Sequence, residues 1–245
     1  METKFQKIKK IVEEEMSRGK DPSHDIDHVM RVYNLALYIS KEESGVDQEV
    51  LRAAVLLHDI GSAEEINDLT GQTDHAVVGA KMAQPILESL SFSDAKIKHI
   101  QDCILSHRYR TDYKPKTIEA KIVYDADKLD TVGAVGVARV FAWAGKHQAK
   151  IYKKVYVPKY IKENQDGKLN GRIQDKSKHS AHINYEVKDK FLLDNLYTKT
   201  AKKIGRKKLL YYKAFLDQLE REINPSFGRK NDKIRSKINP RSPDR

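Results

Sequence analysis

Apolar residues recur at helical spacing along most of the chain, and this pattern constrains the fold more than any other feature. No segment shows a convincing period of two, so strands are not expected. Predicted helices cover residues 2–17, 27–42, 47–58, 73–90, 93–107, 116–129, 131–145, 184–203 and 206–223. The pattern therefore predicts an all-α protein with a single helical domain.

Five of these helices place a polar side chain on their apolar face. The five residues are His28, His58, His75, His107 and Asp127. A single inward histidine is usually a hydrogen-bonded core residue, because both ring nitrogens need partners. A whole set of such residues on neighbouring helices, with Asp59, can instead be satisfied by one bound cation. Imidazole and carboxylate ligands together suit Mn, Fe, Zn, Ni or Co, and Mg where oxygen ligands dominate.

The adjacent pair His58 and Asp59 adds a geometric condition. Neighbouring side chains on a helix diverge by about 100°, so both can reach one ion only where a helix ends. Gly61 predicts such an end directly after the pair.

Three segments resemble the signature of a known family. His28 within "HDIDHVMRV", His58 and Asp59 within "AAVLLHDIG", and Asp127 within "DADKLD" are similar to the H…HD…D motif of the HD superfamily of metal-dependent phosphohydrolases. The continuation "DADKLDTVGAVGVAR" resembles small bacterial and archaeal HD-domain hydrolases. The resemblance is strong over residues 20–145 and weaker through the two terminal helices.

The resemblance implies a helical bundle around a central divalent ion, with His28, His58, Asp59 and Asp127 as ligands. It also implies hydrolysis of a phosphoester or phosphoanhydride, in the manner of a nucleotide pyrophosphohydrolase or nucleotide phosphatase. We favour manganese. His75 and His107 resemble histidines that either contact substrate phosphate beside one ion, which we favour, or hold a second ion bridged by Asp59. His24 could orient His28 or cap its helix.

Further candidates follow from their spacing to the motif. Besides Asp59, a general base or water-orienting group could be Glu64, Glu65 or Asp130. Cationic groups for substrate phosphate could be Arg31, Lys81, Arg108 and Lys128. Most charged residues of this kind lie on the solvent-exposed surface.

Two alternatives belong to other functional classes. Some HD-fold proteins use the same six residue types to bind two irons and activate dioxygen. A non-catalytic HD module that binds a nucleotide or nucleic acid is the second alternative, although no ligand of the motif is missing here.

The net charge of +11 comes from two segments, residues 150–180 and 224–245. Aromatic residues do not alternate with these charges as on stacking surfaces, so nucleic-acid binding through the tail is not favoured. We expect a basic insertion loop at about 150–180 and a disordered tail at 224–245, outside a domain spanning 1–223. One cysteine excludes an internal disulfide, and the apolar residues 132–144 are too few to cross a bilayer. The amino-terminal residues lack a signal-peptide pattern, which predicts a cytoplasmic protein. The oligomeric state is left open.

Overall fold

A computed structural model describes residues 2–19, 25–108 and 113–224 of the chain. Within these ranges the secondary structure is helical, with no β-strand, which confirms the all-α prediction. The α-helices are α1 (Lys4–Met16), α2 (Ile26–Ser40), α3 (Gln48–Leu57), α4 (Ser62–Asn67), α5 (His75–Ser89), α6 (Asp94–Ser106), α7 (Ile118–Asp130), α8 (Gly133–Lys146), α9 (Val157–Asn164), α10 (Ala181–Val187), α11 (Leu192–Asn195) and α12 (Lys199–Ile223).

Side-chain caps define where the central helices begin. Asp25 accepts a hydrogen bond from the backbone N–H of His28 and so starts α2. Asp47 caps α3 in the same way, and Thr117 caps α7 through the backbone N–H of Ala120. Each cap satisfies an amide that the first helical turn leaves without a partner.

The helices α2, α3, α6 and α7 pack against one another and enclose the main hydrophobic core. Ile39, Leu51, Ile104 and Leu129, one from each of these helices, are fully buried there. Helix α5 packs on α6, and α1 covers α3. The inward side of this bundle is therefore apolar except where the site residues interrupt it.

A second group of helices closes the other side of α7. Helix α12 packs on α8 and also contacts α7, while α9 and α10 pack together. A small apolar cluster of Tyr160, Ile183 and Val187 joins α9 to α10.

The structure corrects the prediction of one long helix over residues 184–203. The chain there forms α10, a 3-10 turn at Asp189–Phe191 and α11, and then restarts as α12 at Lys199. The restart is fixed by buried Asp125, whose carboxylate accepts hydrogen bonds from the backbone N–H groups of Tyr197 and Thr198. Helical periodicity alone cannot reveal this contact with a distant residue.

The basic segment 150–180 is likewise not the continuous loop that its composition predicts. It contains α9 and a 3-10 turn at Lys176–Lys178. Pro158 stands at the start of α9, where a missing N–H costs nothing, and Tyr160 is buried against α10. The short helix α4 was not predicted either.

The predicted disordered tail, apart from Asn224, lies outside the described residues, as does His24. Within the part of the chain that the structure describes, no helix has both the length and the apolar character needed to cross a bilayer.

Candidate metal centre

Four histidines and two aspartates meet in the interior between α2 and α7. His28 lies on α2, and Asp127 lies on α7. His58 and Asp59 follow the last residue of α3, His75 begins α5, and His107 follows α6. All are buried except His75, which is partly exposed. The four predicted metal ligands and the two additional histidines therefore belong to one cluster.

Asp59 lies at the middle of this cluster and divides it in two. Its Oδ2 lies 3.3 Å from Nε2 of His28 and 3.6 Å from Nε2 of His58. Its Oδ1 lies 3.4 Å from Nε2 of His75 and 3.3 Å from Nε2 of His107. We call His28, His58 and Asp59 Oδ2 the first ligand set, and His75, His107 and Asp59 Oδ1 the second ligand set.

Asp127 extends the first ligand set from one side. Its Oδ1 lies 3.5 Å from Nε2 of His28, and its Oδ2 accepts a hydrogen bond of 2.6 Å from Nζ of Lys128. The ligand atoms of His28, His58 and Asp59 all lie within 4.8 Å of one another, and Asp127 is not part of that tightest group. Asp127 is thus the outermost of the four predicted ligands.

Each of the four imidazoles uses Nδ1 for a hydrogen bond away from Asp59. Nδ1 of His58 donates to the carbonyl of Val55 at 2.7 Å, and Nδ1 of His107 donates to that of Ile104 at 2.6 Å. These bonds, inferred from the network, leave the Nε2 lone pairs directed at Asp59. Metal-binding histidines in proteins are held in the same way.

The other two rings donate to carboxylates. Nδ1 of His28 lies 2.8 Å from Oδ2 of Asp130, and Nδ1 of His75 lies 2.5 Å from Oε2 of Glu65. A carboxylate partner makes the opposite ring nitrogen a stronger ligand, because it withdraws the Nδ1 proton. Asp130 and Glu65 therefore orient the rings of the two ligand sets.

The arrangement fits divalent cations better than it fits a closed hydrogen-bond network. Nε2 of His28 and Nε2 of His58 are 3.4 Å apart, and those of His75 and His107 are 3.1 Å apart. Two lone pairs facing each other repel unless a proton or a cation lies between them. Ligand atoms that each lie about 2.1 Å from one ion are separated by roughly 3.0–3.5 Å, as these atoms are.

The electrostatics of the cluster also favour bound cations. Burial would raise the pKa of Asp59, but the imidazoles of His58, His107 and His28 outweigh it and hold the pKa well below its usual range. Burial lowers the pKa of His58 to about 4, so its ring is neutral near pH 7. Burial also lowers the pKa of His28, but hydrogen bonds with Asp130 and Asp59 make the net change a rise. The centre thus combines ionised carboxylates with the neutral imidazole of His58.

The structure gives the three candidate bases different surroundings. Asp130 accepts hydrogen bonds from His28, from Arg31 and from Nη1 of Arg139 at 2.6 Å. Burial raises the pKa of Asp130, but these partners outweigh it and the pKa falls. Burial raises the pKa of Glu65, but its hydrogen bond with His75 and the charge of Arg108 lower it more. The resulting pKa is about 2. Glu64 is exposed on α4.

The candidate cations fall into two groups. Lys128 pairs with Asp127, and Arg108 pairs with Glu65 at 2.7 Å and with Asp74 at 2.9 Å. Arg31 reaches the centre only through Asp130, with 3.0 Å between Nε and Oδ1. Lys81 is exposed, and no ion pair joins it to the centre within the described residues.

A close backbone approach brings the two ligand sets together. A Cβ atom at Gly61 would overlap the carbonyl oxygen of His75 and would lie 2.7 Å from the backbone nitrogen of Gly79. Only glycine fits at this contact, which presses the turn after Asp59 against the start of α5. Helix α3 ends at Leu57, so His58 and Asp59 lie at a helix end as their adjacency requires.

Sequence reasoning missed Arg139 as part of the site. Its Nη1 lies 2.6 Å from Oδ2 of Asp130 and 3.1 Å from Nδ1 of His28. The signal was present, because Arg139 interrupts an otherwise apolar helix. A charged residue on such a face needs a buried partner, and here that partner is Asp130.

The six residues of the cluster all lie within a segment that matches a known family. Residues 25–132 match the family model of the HD domain. YpgQ of Bacillus subtilis is 28% identical over 210 residues, which cover 82% of this chain and 84% of YpgQ. The 3'-5' exoribonuclease YhaM of Bacillus subtilis is 28% identical over 116 residues, which cover 42% of this chain and 37% of YhaM.

Solved structures show the same fold over nearly the whole chain. A crystal structure of an HD-superfamily hydrolase from Bacillus thuringiensis is 28% identical, covers 91% of this chain and 99% of its own, and gives a TM-score of 0.62. The crystal structure of Bacillus subtilis YpgQ in complex with ADP is 24% identical, covers 90% of this chain and 98% of its own, and gives a TM-score of 0.65. The similarity therefore extends beyond residues 25–132 into the terminal helices.

Proposed function

This chain is an HD-domain protein, and from that premise we propose that it is a phosphohydrolase whose centre holds two divalent ions and acts on nucleotides. One observation carries the proposal: each carboxylate oxygen of Asp59 faces a separate pair of imidazole nitrogens. A carboxylate in that position is suited to bridge two ions. Two-metal sites of this kind hydrolyse phosphate esters and anhydrides in many enzymes.

The assignment of a second ion differs from the interpretation that the sequence favoured. That interpretation gave His75 and His107 to the substrate phosphate. Their Nε2 atoms instead face each other and Asp59 at 3.1–3.4 Å, a separation that leaves room for an ion and not for a phosphate group. We therefore assign both histidines to the second ligand set, and we favour manganese because the ligands mix imidazole with carboxylate.

The bound ions would activate a water for attack on phosphorus and neutralise charge on the phosphoryl oxygens. The protein's part is to hold the ligands rigidly. Asp130 and Glu65 fix the rings of His28 and His75, and their low pKa values make them poor proton acceptors near neutral pH. We assign them positioning roles in place of general-base roles. Lys128 and Arg108 supply positive charge beside the two ligand sets.

Two relatives support a nucleotide substrate. YpgQ has been crystallised in complex with ADP, and YhaM is a 3'-5' exoribonuclease. ADP is a nucleotide, and an exoribonuclease acts on RNA.

The metal count tests this proposal directly. Protein stripped of metal and then saturated with Mn²⁺ should bind two ions per chain by calorimetry and elemental analysis. His75→Ala should bind one, and Asp59→Ala should bind neither ion tightly. His99→Ala is the matched control, because His99 lies on α6 but pairs with Glu119 outside the centre.

Activity is measured on the same proteins. With Mn²⁺ or Mg²⁺, nucleoside triphosphates should be among the hydrolysed phosphate compounds, and Asp59→Ala should lose at least about 100-fold in rate. A single ion in the unsubstituted protein and in His75→Ala alike would refute the two-ion centre. Two irons per chain with a visible chromophore and no hydrolysis would instead favour the oxygenase alternative.

A further inference from the structure

A cleft of about 400 Å³ opens beside the metal centre, between the end of α6, helix α7 and the segment that joins α11 to α12. Its volume lies within the range of small-molecule sites, roughly 300–1,000 Å³. Part of its wall, residues 194–197 and Lys202, comes from beyond the matched HD domain. The cleft is therefore built jointly by the HD domain and the carboxy-terminal region.

Three tyrosines line this cleft: Tyr113, Tyr124 and Tyr197. The rings of Tyr124 and Tyr197 meet edge to face with centroids 5.3 Å apart. Tyr197 is 40% exposed and Tyr113 is 54% exposed, so both offer ring surface to a ligand. Exposed aromatic rings at the wall of a cleft are the usual stacking surfaces for nucleic-acid bases.

The same wall carries more cationic than anionic side chains. Arg108, Lys114 and Lys202 line it, against one carboxylate, Asp194, among the described lining residues. The guanidinium of Arg108 is held in place by Glu65 and Asp74. Fixed cations next to aromatic rings suit a ligand that has both an aromatic and an anionic part.

Two residues that line the cleft are neighbours of residues in the metal centre. Arg108 directly follows His107 of the second ligand set. Tyr124 precedes Asp127 by one helical turn, and Nζ of Lys128 lies 5.2 Å from the ring centroid of Tyr124 while it bonds Asp127. The wall of the cleft is therefore continuous with the segments that carry His107 and Asp127.

The far wall is anchored to the same helix as the ligands. Buried Asp125 accepts hydrogen bonds from the backbone N–H groups of Tyr197, at 2.9 Å, and Thr198, at 2.7 Å. Thr198 in turn caps α12. The position of Tyr197 relative to Asp127 is thus fixed through α7, as a preformed subsite requires.

We propose that this cleft binds the nucleoside part of a nucleoside polyphosphate, with the base on Tyr197 and the phosphates passing Lys202 and Arg108 towards the ions. The proposal rests on the proposed function, because it names the substrate class of the same centre. It assigns the recognition of the nucleoside to the carboxy-terminal segment and the chemistry to the HD domain.

The test compares ADP with pyrophosphate, which lacks the nucleoside, by calorimetry in the presence of Mn²⁺. Tyr197→Ala keeps the backbone N–H that bonds Asp125, so the wall should remain folded. It should weaken ADP binding at least tenfold and change pyrophosphate binding less than twofold. Lys202→Ala should weaken the binding of both ligands.

Matched controls lie on α12 outside the cleft. Tyr211→Ala removes an exposed tyrosine, and Lys203→Ala removes an exposed lysine. Both should bind ADP as the unsubstituted protein does. The proposal is overturned if the unsubstituted protein does not bind ADP, if Tyr197→Ala binds ADP normally, or if that variant weakens ADP and pyrophosphate equally.

Turnover separates this proposal from the proposed function. In Tyr197→Ala, the ratio of kcat/KM for ATP to that for inorganic triphosphate should fall at least tenfold. If no phosphate compound is hydrolysed but Tyr197→Ala still loses ADP selectively, the cleft assignment stands and the phosphohydrolase assignment fails. If hydrolysis occurs and the ratio is unchanged, the cleft assignment alone fails.

Discussion

Asp130 is a residue that contacts a candidate metal ligand without being a ligand itself. Its carboxylate is nearly inaccessible and accepts hydrogen bonds from His28, Arg31 and Arg139. An anion with three donors is well satisfied, and its charge makes His28 a stronger ligand. We therefore expect Asp130 to influence metal binding through His28 without being a ligand itself.

Asp130→Asn should weaken Mn²⁺ binding about 10- to 100-fold, since the amide keeps the size of the side chain but loses the charge that polarises His28. Calorimetry of metal-free protein titrated with Mn²⁺ measures this. Asp102→Asn is the control, because Asp102 is an exposed partner of Lys98 on the surface of α6. Unchanged affinity in Asp130→Asn would contradict the positioning role.

At the scale of elements, the ends of helices carry most of the site. His58 and Asp59 follow α3, His75 starts α5, and His107 follows α6. Helix α12 supports the end of α7, where Nζ of Lys208 donates to the carbonyl of Leu129 at 2.7 Å. Helix ends have backbone groups without helical partners, so such contacts stabilise them and fix their position.

The second group of helices is joined by a buried histidine. His179 is 1% exposed, and its Nδ1 lies 2.7 Å from the hydroxyl of Tyr160 on α9. Its Nε2 lies 3.3 Å from Oδ1 of Asn184 on α10. Burial lowers the pKa of His179 to about 4, because a charged ring would lose its hydration there.

This pKa predicts a pH-dependent contribution to stability. The unfolded chain binds the proton below about pH 6.5 and the folded protein only below about pH 4, so the contribution is full at neutral pH and is lost as the pH falls through that window. From pH 7 to pH 5 the loss is about 2 kcal/mol.

Urea unfolding of the protein and of His179→Gln at pH 7 and pH 5 checks this prediction. The stability advantage of the unsubstituted protein should shrink by about 2 kcal/mol at pH 5. The effect of His179 is isolated by comparing the two proteins at each pH. Burial raises the pKa of Asp189 to about 6, so Asp189 makes both proteins more stable as the pH falls. An advantage that is equal at both pH values would contradict it.

Considered over the whole molecule, the candidate metal centre lies inside the main hydrophobic core. Asp59 and Asp127 are buried among residues from five helices, and their charges need compensation there. Bound cations therefore should stabilise the whole fold, in addition to their proposed role in catalysis.

Chelation should lower the melting temperature. Saturation of one site at about 100 times its Kd adds about 2.7 kcal/mol, which raises the melting temperature by roughly 5–10 °C for a domain of this size. Thermal melts with EDTA and with Mn²⁺ measure the shift. Asp59→Ala should lose it and Asp102→Ala should retain it, whereas a shift that survives in Asp59→Ala would contradict the assignment of the ions to this centre.

Local pattern was sufficient to predict the all-α fold, the helices of the bundle and the inward polar set. Those features depend on side-chain spacing within one helix, which a sequence displays directly. The break between α10 and α12 and the helix α9 were not predicted. The break depends on the hydrogen bond from the backbone N–H of Tyr197 to Asp125, 72 residues away. Helix α9 depends on the packing of Tyr160 against α10.

Helical periodicity places these polar side chains on apolar faces, so their inward direction can be read from local spacing. How they combine depends on tertiary packing. The two oxygens of Asp59 separate the histidines into two pairs, and Glu65 and Asp130 act through rings of residues distant in sequence. Such distances depend on how helix ends pack. The close contact at Gly61 sets the distance between the two ligand sets.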